Sequence, residues 1–365
     1  MFRRLCLITL TIAAVFLATG CLGNPPKQSG VFVTRDGGSN WQASPDLKAK
    51  NAKAPKVYPP LEVTAVSVSP VDANLVVAGT GDELYLSTDA AKTWQRLTPK
   101  LPTANKAIAV QSVRWHPSNA DTFFVGGVAA GYGKVFKSTD RGNSLQDVFS
   151  VSQPRRAVTA LDVQANDTVY AGDETGSVYK SGNGGAAWQR IFSSTDAISA
   201  LASSGPQLFI GTRGQGIFRT SDGGATFAAA NGSLTGNQLG VWSLSPGFGG
   251  LYLATDAGLF LTRDFGASWQ SVGNPLPVGT TRVNAVVATG NAVYFAAGAI
   301  VYRMSPGGET FSPAQLQLAK EVFGLSYSPA AAEVLYAAGN GDADFSGRYD
   351  AGIPGLNLEP PNANP

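Results

Sequence analysis

Two adjacent acid pairs stand beside glycines: Asp82–Glu83 in G-T-G-D-E and Asp173–Glu174 in G-D-E-T-G. Breaking a glycosidic bond takes two carboxyl groups roughly 5–10 Å apart, one to give a proton and one to activate water or attack. Acids beside glycine also make ordinary solvated turns. The turn is the primary reading here, and a carboxylate pair for glycoside hydrolysis is the alternative. Similar turns carry Tyr132 and Lys134, Arg213 and Gln215, and Asp256. The single histidine, His116, lies in W-H-P with no serine or cysteine nucleophile motif, so a structural role is expected. With one histidine and two cysteines, Cys6 and Cys21, the chain has no metal-ligand set, and no cofactor is expected.

Cys21 carries a different chemistry. The chain opens M-F-R-R, continues with sixteen uncharged residues and reaches L-A-T-G-C at Leu17–Cys21. A short basic region before an apolar stretch of that length is an export signal, too short to span a bilayer comfortably. The L-A-T-G-C run resembles the lipobox of bacterial lipoproteins. That resemblance implies cleavage after Gly20 and lipid on Cys21. Cys6 would be removed, leaving no disulfide in the mature chain. The expected localisation is an exported, membrane-anchored lipoprotein facing the periplasm or the cell exterior.

The positions of most acids follow from a repeat. An eight-residue pattern starts at Thr34 (T-R-D-G-G-S-N-W), Ser87, Ser138, Ser181, Thr220 and Thr262, with a worn copy at Met304 (M-S-P-G-G-E-T-F). The starts lie 39 to 53 residues apart. A four-stranded propeller blade needs about 40–50 residues. Each copy follows an aliphatic–aromatic strand end such as V-F-V, L-Y-L or I-F-R. Two further strands precede each full copy, for example V-T-A-V-S-V from Val63 and V-Y-A-G-D from Val169.

The physics of the pattern is that of a hairpin turn. A Ser or Thr hydroxyl and an Asp carboxylate can bond nearby N–H groups, and Gly permits a positive φ. Asp36, Asp89, Asp140, Asn183, Asp222 and Asp264 are therefore turn formers, while Met304 and Pro306 force a different closure in the sixth copy. The first copy lacks its two preceding strands, and the strand pair at 322–340 lacks a copy after it. Joining them makes one blade from both chain ends. The expected fold class is all-β, a seven-bladed β-propeller whose last blade closes with residues 30–43. The segments are 1–20 signal, 21–29 lipidated linker, 30–341 propeller and 342–365 a tail rich in Pro, Asn and Gly.

The pattern resembles the Asp-box, or bacterial neuraminidase repeat. Sialidases share it, but they have six blades and an R-I-P motif that is absent here. Xyloglucanase-type hydrolases resemble it more closely and place two propellers around one cleft. The photosystem II stability and assembly factor group also resembles this chain: single seven-bladed propellers, lipoproteins among the cyanobacterial members, that bind proteins and catalyse nothing. Blade count and lipid anchor together imply the last group. The expectation is thus a non-enzymatic protein-binding or assembly scaffold at the cell envelope, with a sialidase- or xyloglucanase-like glycoside hydrolase as the alternative.

Charge supports no nucleic-acid partner. Net charge is +2, from 27 basic and 25 acidic residues, and loss of Arg3 and Arg4 would bring it to neutrality. Cations do gather in three successive inter-blade loops: Lys48, Lys50, Lys53 and Lys56, then Lys100 and Lys106, then Arg155 and Arg156. Propeller geometry would set these on one sector, as a surface for an acidic protein segment or anionic headgroups. A monomer with one unidentified protein partner is expected.

Overall fold

A computed structural model describes residues 30–44, 63–97, 107–272, 282–305, 311–317 and 321–340. Seven antiparallel four-stranded sheets form a ring. Blade 1 shows the plan, with strands Val63–Val68, Val76–Thr80, Leu84–Ser87 and Gln95–Leu97 joined in order. Blades 2 to 6 begin at Ala109, Val158, Ile198, Val241 and Val283. Blade 7 pairs Glu321–Tyr327 and Leu335–Asn340 with Gly30–Thr34 and Trp41–Ala43. Its seam runs in register from Gly30 opposite Gly339 to Thr34 opposite Leu335. The two chain ends therefore share a sheet, and no strand edge is left at the join. Among the described residues the only helical turn is Gly236–Leu239.

Alternation explains why these segments are strands, and blade contact explains their burial. Second strands are buried on both faces, as in Val76–Thr80 and Val169–Asp173, because each blade is sandwiched between its neighbours. Glycine makes the close approach possible. A Cβ on Gly79 would lie 2.3 Å from Val110 Cγ1, one on Gly172 2.4 Å from Ile198 Cγ2, and one on Gly211 2.4 Å from Val241 Cγ1. At these places a β-branched side chain on the inner strand fills the notch left by glycine on the blade before it.

The inner strands share a second device. Every blade has a register shift at the start of its first strand, between Val63 and Ala65 in blade 1 and at the matching place in the other six. A bulge leaves one residue unpaired and re-aims its side chain. The unpaired residues are Thr64, Gln111, Thr159, Ser199, Trp242, Asn284 and Phe323, and all seven line the central channel.

The box turns close one end of the ring. In each the hydroxyl of the leading Ser or Thr accepts the N–H four residues on, as from Gly38 to Thr34 at 3.0 Å and Gly142 to Ser138 at 2.7 Å. The acid or amide two residues in accepts another: Asn40 N–H to Asp36 at 2.9 Å, Thr93 to Asp89 at 2.8 Å, Ser144 to Asp140 at 2.9 Å. Ala187 to Asn183, Thr226 to Asp222 and Ser268 to Asp264 follow at 2.9–3.0 Å. These bonds hold the Asp36 and Asp264 carboxyls down at about 2, below their ordinary 3.8, chiefly through Asn40 and Ser268. The backbone after the acid is left-handed in all six turns, including the non-glycine Ala90, Arg141 and Phe265. The sixth blade's turn, 306–310, lies outside the described residues.

Candidate functional site

Inner strands run away from one face of the ring toward the box turns. That first face carries the loops between second and third strands and those between blades. The acid pairs of the sequence lie here, and their surroundings differ. Asp82 is exposed and accepts the Thr80 hydroxyl at 3.0 Å. Glu83 pairs with Arg96 at 2.9 Å and accepts the Tyr85 hydroxyl. Asp173 is fully buried, and its Oδ1 takes the N–H groups of Thr175 and Ser177, both at 2.9 Å, and the Thr175 hydroxyl at 2.7 Å. Asp173 therefore builds the turn.

Glu174, the next residue, faces the other way. Its carboxylate accepts the N–H of Ala157 at 2.9 Å. Burial pushes its pKa up, partly offset by that hydrogen bond and by the nearby Arg156, while Asp173 adds to the rise. A carboxyl shifted upward by desolvation is the environment of a proton donor. The turn behind it leans on the loop between blades 3 and 4. A Cβ on Gly176 would lie 2.7 Å from the carbonyl oxygen of Asp196. Asp196 Oδ2 in turn lies 3.2 Å from the place of a Cβ on Gly214, in the next blade's loop.

The arc continues through blade 5. A Cβ on Gly240 would lie 2.2 Å from Asp256 Oδ2 and 3.3 Å from the Arg213 carbonyl. Asp256 Oδ1 accepts the indole N–H of Trp242 at 2.9 Å and pairs with Arg282 at 3.1 Å. The Arg213 and Arg282 guanidinium carbons lie 3.7 Å and 4.7 Å from the centroid of the Trp242 ring, close enough for cation–π attraction. Glu174, Asp196, Arg213, Trp242, Asp256 and Arg282 thus line one rim across blades 3 to 6. Polar groups on a concave rim can hold hydroxyls, and a raised carboxyl can deliver a proton to a leaving oxygen.

Sequence reading reached Glu174, Arg213 and Asp256 as loop residues but passed over Asp196, Trp242 and Arg282. The available signal was at position 242. Trp occupies the second place of an inner strand where five other blades have Thr, Gln, Ser or Asn. His116 is buried on the box face, where its Nδ1 accepts the Ser118 N–H at 3.3 Å and its Nε2 lies 3.5 Å from Asp167. Of the cationic cluster, Arg155 and Arg156 are exposed at the junction of blades 2 and 3, Arg155 with φ +60°. Lys48, Lys50, Lys53, Lys56, Lys100 and Lys106 lie outside the described residues, as does Cys21. No group of three or more His, Cys, Asp or Glu able to hold a metal occurs among the described residues.

No known family profile matches the chain. A xyloglucanase of Hypocrea jecorina (strain QM6a) is 29% identical over 170 residues, covering 43% of this chain and 19% of that enzyme. The chain therefore spans a small part of the relative it matches. The GH74 xyloglucanase of Xanthomonas campestris superposes with a TM-score of 0.63 at 17% identity, over 77% of this chain and 51% of the enzyme. YCF48 from Cyanidioschyzon merolae superposes at 0.59 and 15% identity, over 77% of this chain and 97% of that one. The two superpositions share the propeller fold. The sequence relationship to a xyloglucanase corrects the expectation of a non-enzymatic scaffold. That expectation rested on a single seven-bladed propeller with a lipid anchor and on finding no arginine motif. A domain count says nothing of what the face of a single propeller carries.

Proposed function

We propose that this chain is a glycoside hydrolase acting on β-linked glucan of the xyloglucan type, bound across the rim from blade 3 to blade 6. Glu174 is the general acid. Its desolvated carboxyl keeps its proton at higher pH than a solvated one and gives it to the leaving glycosidic oxygen. Asp196, on the adjoining loop, is the base that activates water. Asp256 and Arg282 fix the Trp242 ring, and Arg213 covers it, so this end of the rim positions sugar hydroxyls. The observation that carries the reading is the half-buried Glu174, its carboxyl raised by desolvation, on the face of a propeller akin in sequence to a xyloglucanase. Lipid on Cys21 would hold the enzyme at the outside of a membrane, where polysaccharide is met.

The test is release of reducing ends from xyloglucan, mixed-linkage β-glucan and cellulose by the purified protein. Glu174→Gln removes the proton and keeps the shape, so activity should fall about 100-fold or more. Equal activity in Glu174→Gln and parent would remove Glu174 from the mechanism.

A further inference from the structure

The channel behind the rim has chemistry that the proposed hydrolysis does not use. Three of its seven bulge residues spend their side chains tying neighbouring blades. Thr64 donates to the Val110 carbonyl at 2.6 Å, Thr159 to the Ile198 carbonyl at 2.5 Å, and the Asn284 amide nitrogen to the Val322 carbonyl at 3.1 Å. In each case the acceptor is one of the first two residues of the next blade's inner strand. Ser199 holds the same place in blade 4 and makes no such bond, so its hydroxyl is buried without a partner. The Asn284 carbonyl oxygen is also buried without a partner, on a residue 5% exposed. Turning the amide over does not help, because Val322 offers an acceptor and needs the nitrogen there. Both groups line one cavity.

Arg114 lines it too, from the inner strand Ala109–His116. Its side chain is open to the channel yet ringed by protein, and that desolvation lowers its pKa. One nitrogen donates to the Val113 carbonyl at 3.0 Å. Among the described residues no carboxylate lies within ion-pair distance of it. Asp162, the nearest acid by its effect on Arg114, instead takes the hydroxyl of Ser203. The remaining donors of a guanidinium form a planar fork that matches a carboxylate.

We propose that this channel cavity binds a small hydroxylated carboxylate, of the hexuronate or aldonate class. The carboxylate pairs with Arg114, one ligand hydroxyl donates to the Asn284 carbonyl oxygen, and another meets the Ser199 hydroxyl. The cavity is about 140 Å³. A cavity of about 150 Å³ holds one benzene ring, and this one continues past Arg114 into further channel space, so a single small acid has room and a polysaccharide chain does not. The cavity shares Arg213 and Trp242 with the rim but not Glu174, and binding there does not depend on hydrolysis.

Titration calorimetry and thermal melting of the full chain test it, with D-glucuronate, D-gluconate, acetate, sulfate and D-glucose as probes. Glucuronate or gluconate should bind and raise the melting temperature, with acetate and glucose weaker by about tenfold or more, since each lacks one half of the recognition. Arg114→Met should abolish the effect, and Asn284→Ala should weaken it about tenfold, while both keep the parent's β-sheet circular dichroism. Should either variant fail to fold, the conservative Arg114→Lys keeps the charge and loses the fork, and should bind at least tenfold more weakly. Absence of binding by both hydroxy acids at millimolar concentration overturns the proposal. So does glucuronate binding that survives Arg114→Met, or binding of acetate and sulfate as tight as that of glucuronate.

Discussion

Replacing Gly172 by Ala probes how the blades lock together. Gly172 is not among the left-handed glycines, so alanine strains no backbone torsion there. The added Cβ would stand 2.4 Å from Ile198 Cγ2 and 2.8 Å from its Cβ. Carbon atoms in contact prefer about 3.5–4.0 Å, so blades 3 and 4 must part by roughly 1 Å. Ile198 is fully buried and has nowhere to turn. Overpacking of this kind costs about 1–3 kcal/mol. The loss of glycine's freedom in the unfolded chain returns about 0.4–1 kcal/mol, so the net effect stays destabilising. For a propeller of about 300 residues the unfolding entropy is roughly 0.6 kcal/mol/K, and the net loss of about 1.3 kcal/mol at the middle of these ranges lowers the melting temperature by about 2 °C. Thermal and urea denaturation measure it. Pairing Gly172→Ala with Ile198→Ala removes the Cγ2 that the new Cβ would strike, and the double variant should lose less than the sum of the two. A Gly172→Ala protein as stable as its parent, or strict additivity in the pair, would refute the notch-and-knob account.

Four other outcomes follow, three from the same geometry and one from the sequence at Cys21. Ala90 sits at φ +58°, so Ala90→Gly should stabilise the chain by up to about 1 kcal/mol in urea denaturation. Truncation after Ser44 removes two strands of blade 7, and the exposed edge should bring aggregation and a broad, early melt. The Asp36 and Asp264 carboxyls sit at about 2 when folded against 3.8, so their stabilisation is complete above pH 3.8 and fades as pH falls toward 2. Asp264→Asn, which copies Asn183, should keep the turn and flatten that part of the acid-unfolding curve. Cys21→Ser should move the protein from membranes to the soluble fraction, since durable anchoring takes more than one acyl chain.

The blade count was legible because turn chemistry punctuates the sequence at even spacing. Thr34, Ser87 and their counterparts mark every blade, and the unmatched halves at 30–43 and 322–340 revealed the shared sheet. The notches were not legible. Gly79, Gly172 and Gly211 read as strand ends, and only the packing of blade on blade shows that Val110, Ile198 and Val241 need them. The bulge ring was hidden for a similar reason. Alternation within one strand cannot reveal where pairing slips, so Thr64, Ser199 and Asn284 looked like ordinary strand residues. Asp173 and Glu174 show the limit for acids. They are neighbours in one turn, yet one is a buried clamp and the other a carboxyl raised by desolvation. Trp242, Asp256 and Arg282 come from the inner strand and an inner loop of blade 5 and the approach to blade 6, and only closure of the ring brings them together.

The most direct test of the proposed chemistry is mass spectrometry of xyloglucan oligosaccharides incubated with the purified protein in heavy-oxygen water. Hydrolysis through Glu174 and a water activated by Asp196 predicts new reducing ends that each carry one heavy oxygen, formed by the parent protein and essentially lost in Glu174→Gln. Oligosaccharides that emerge uncut, or cut ends without heavy oxygen, would contradict the account.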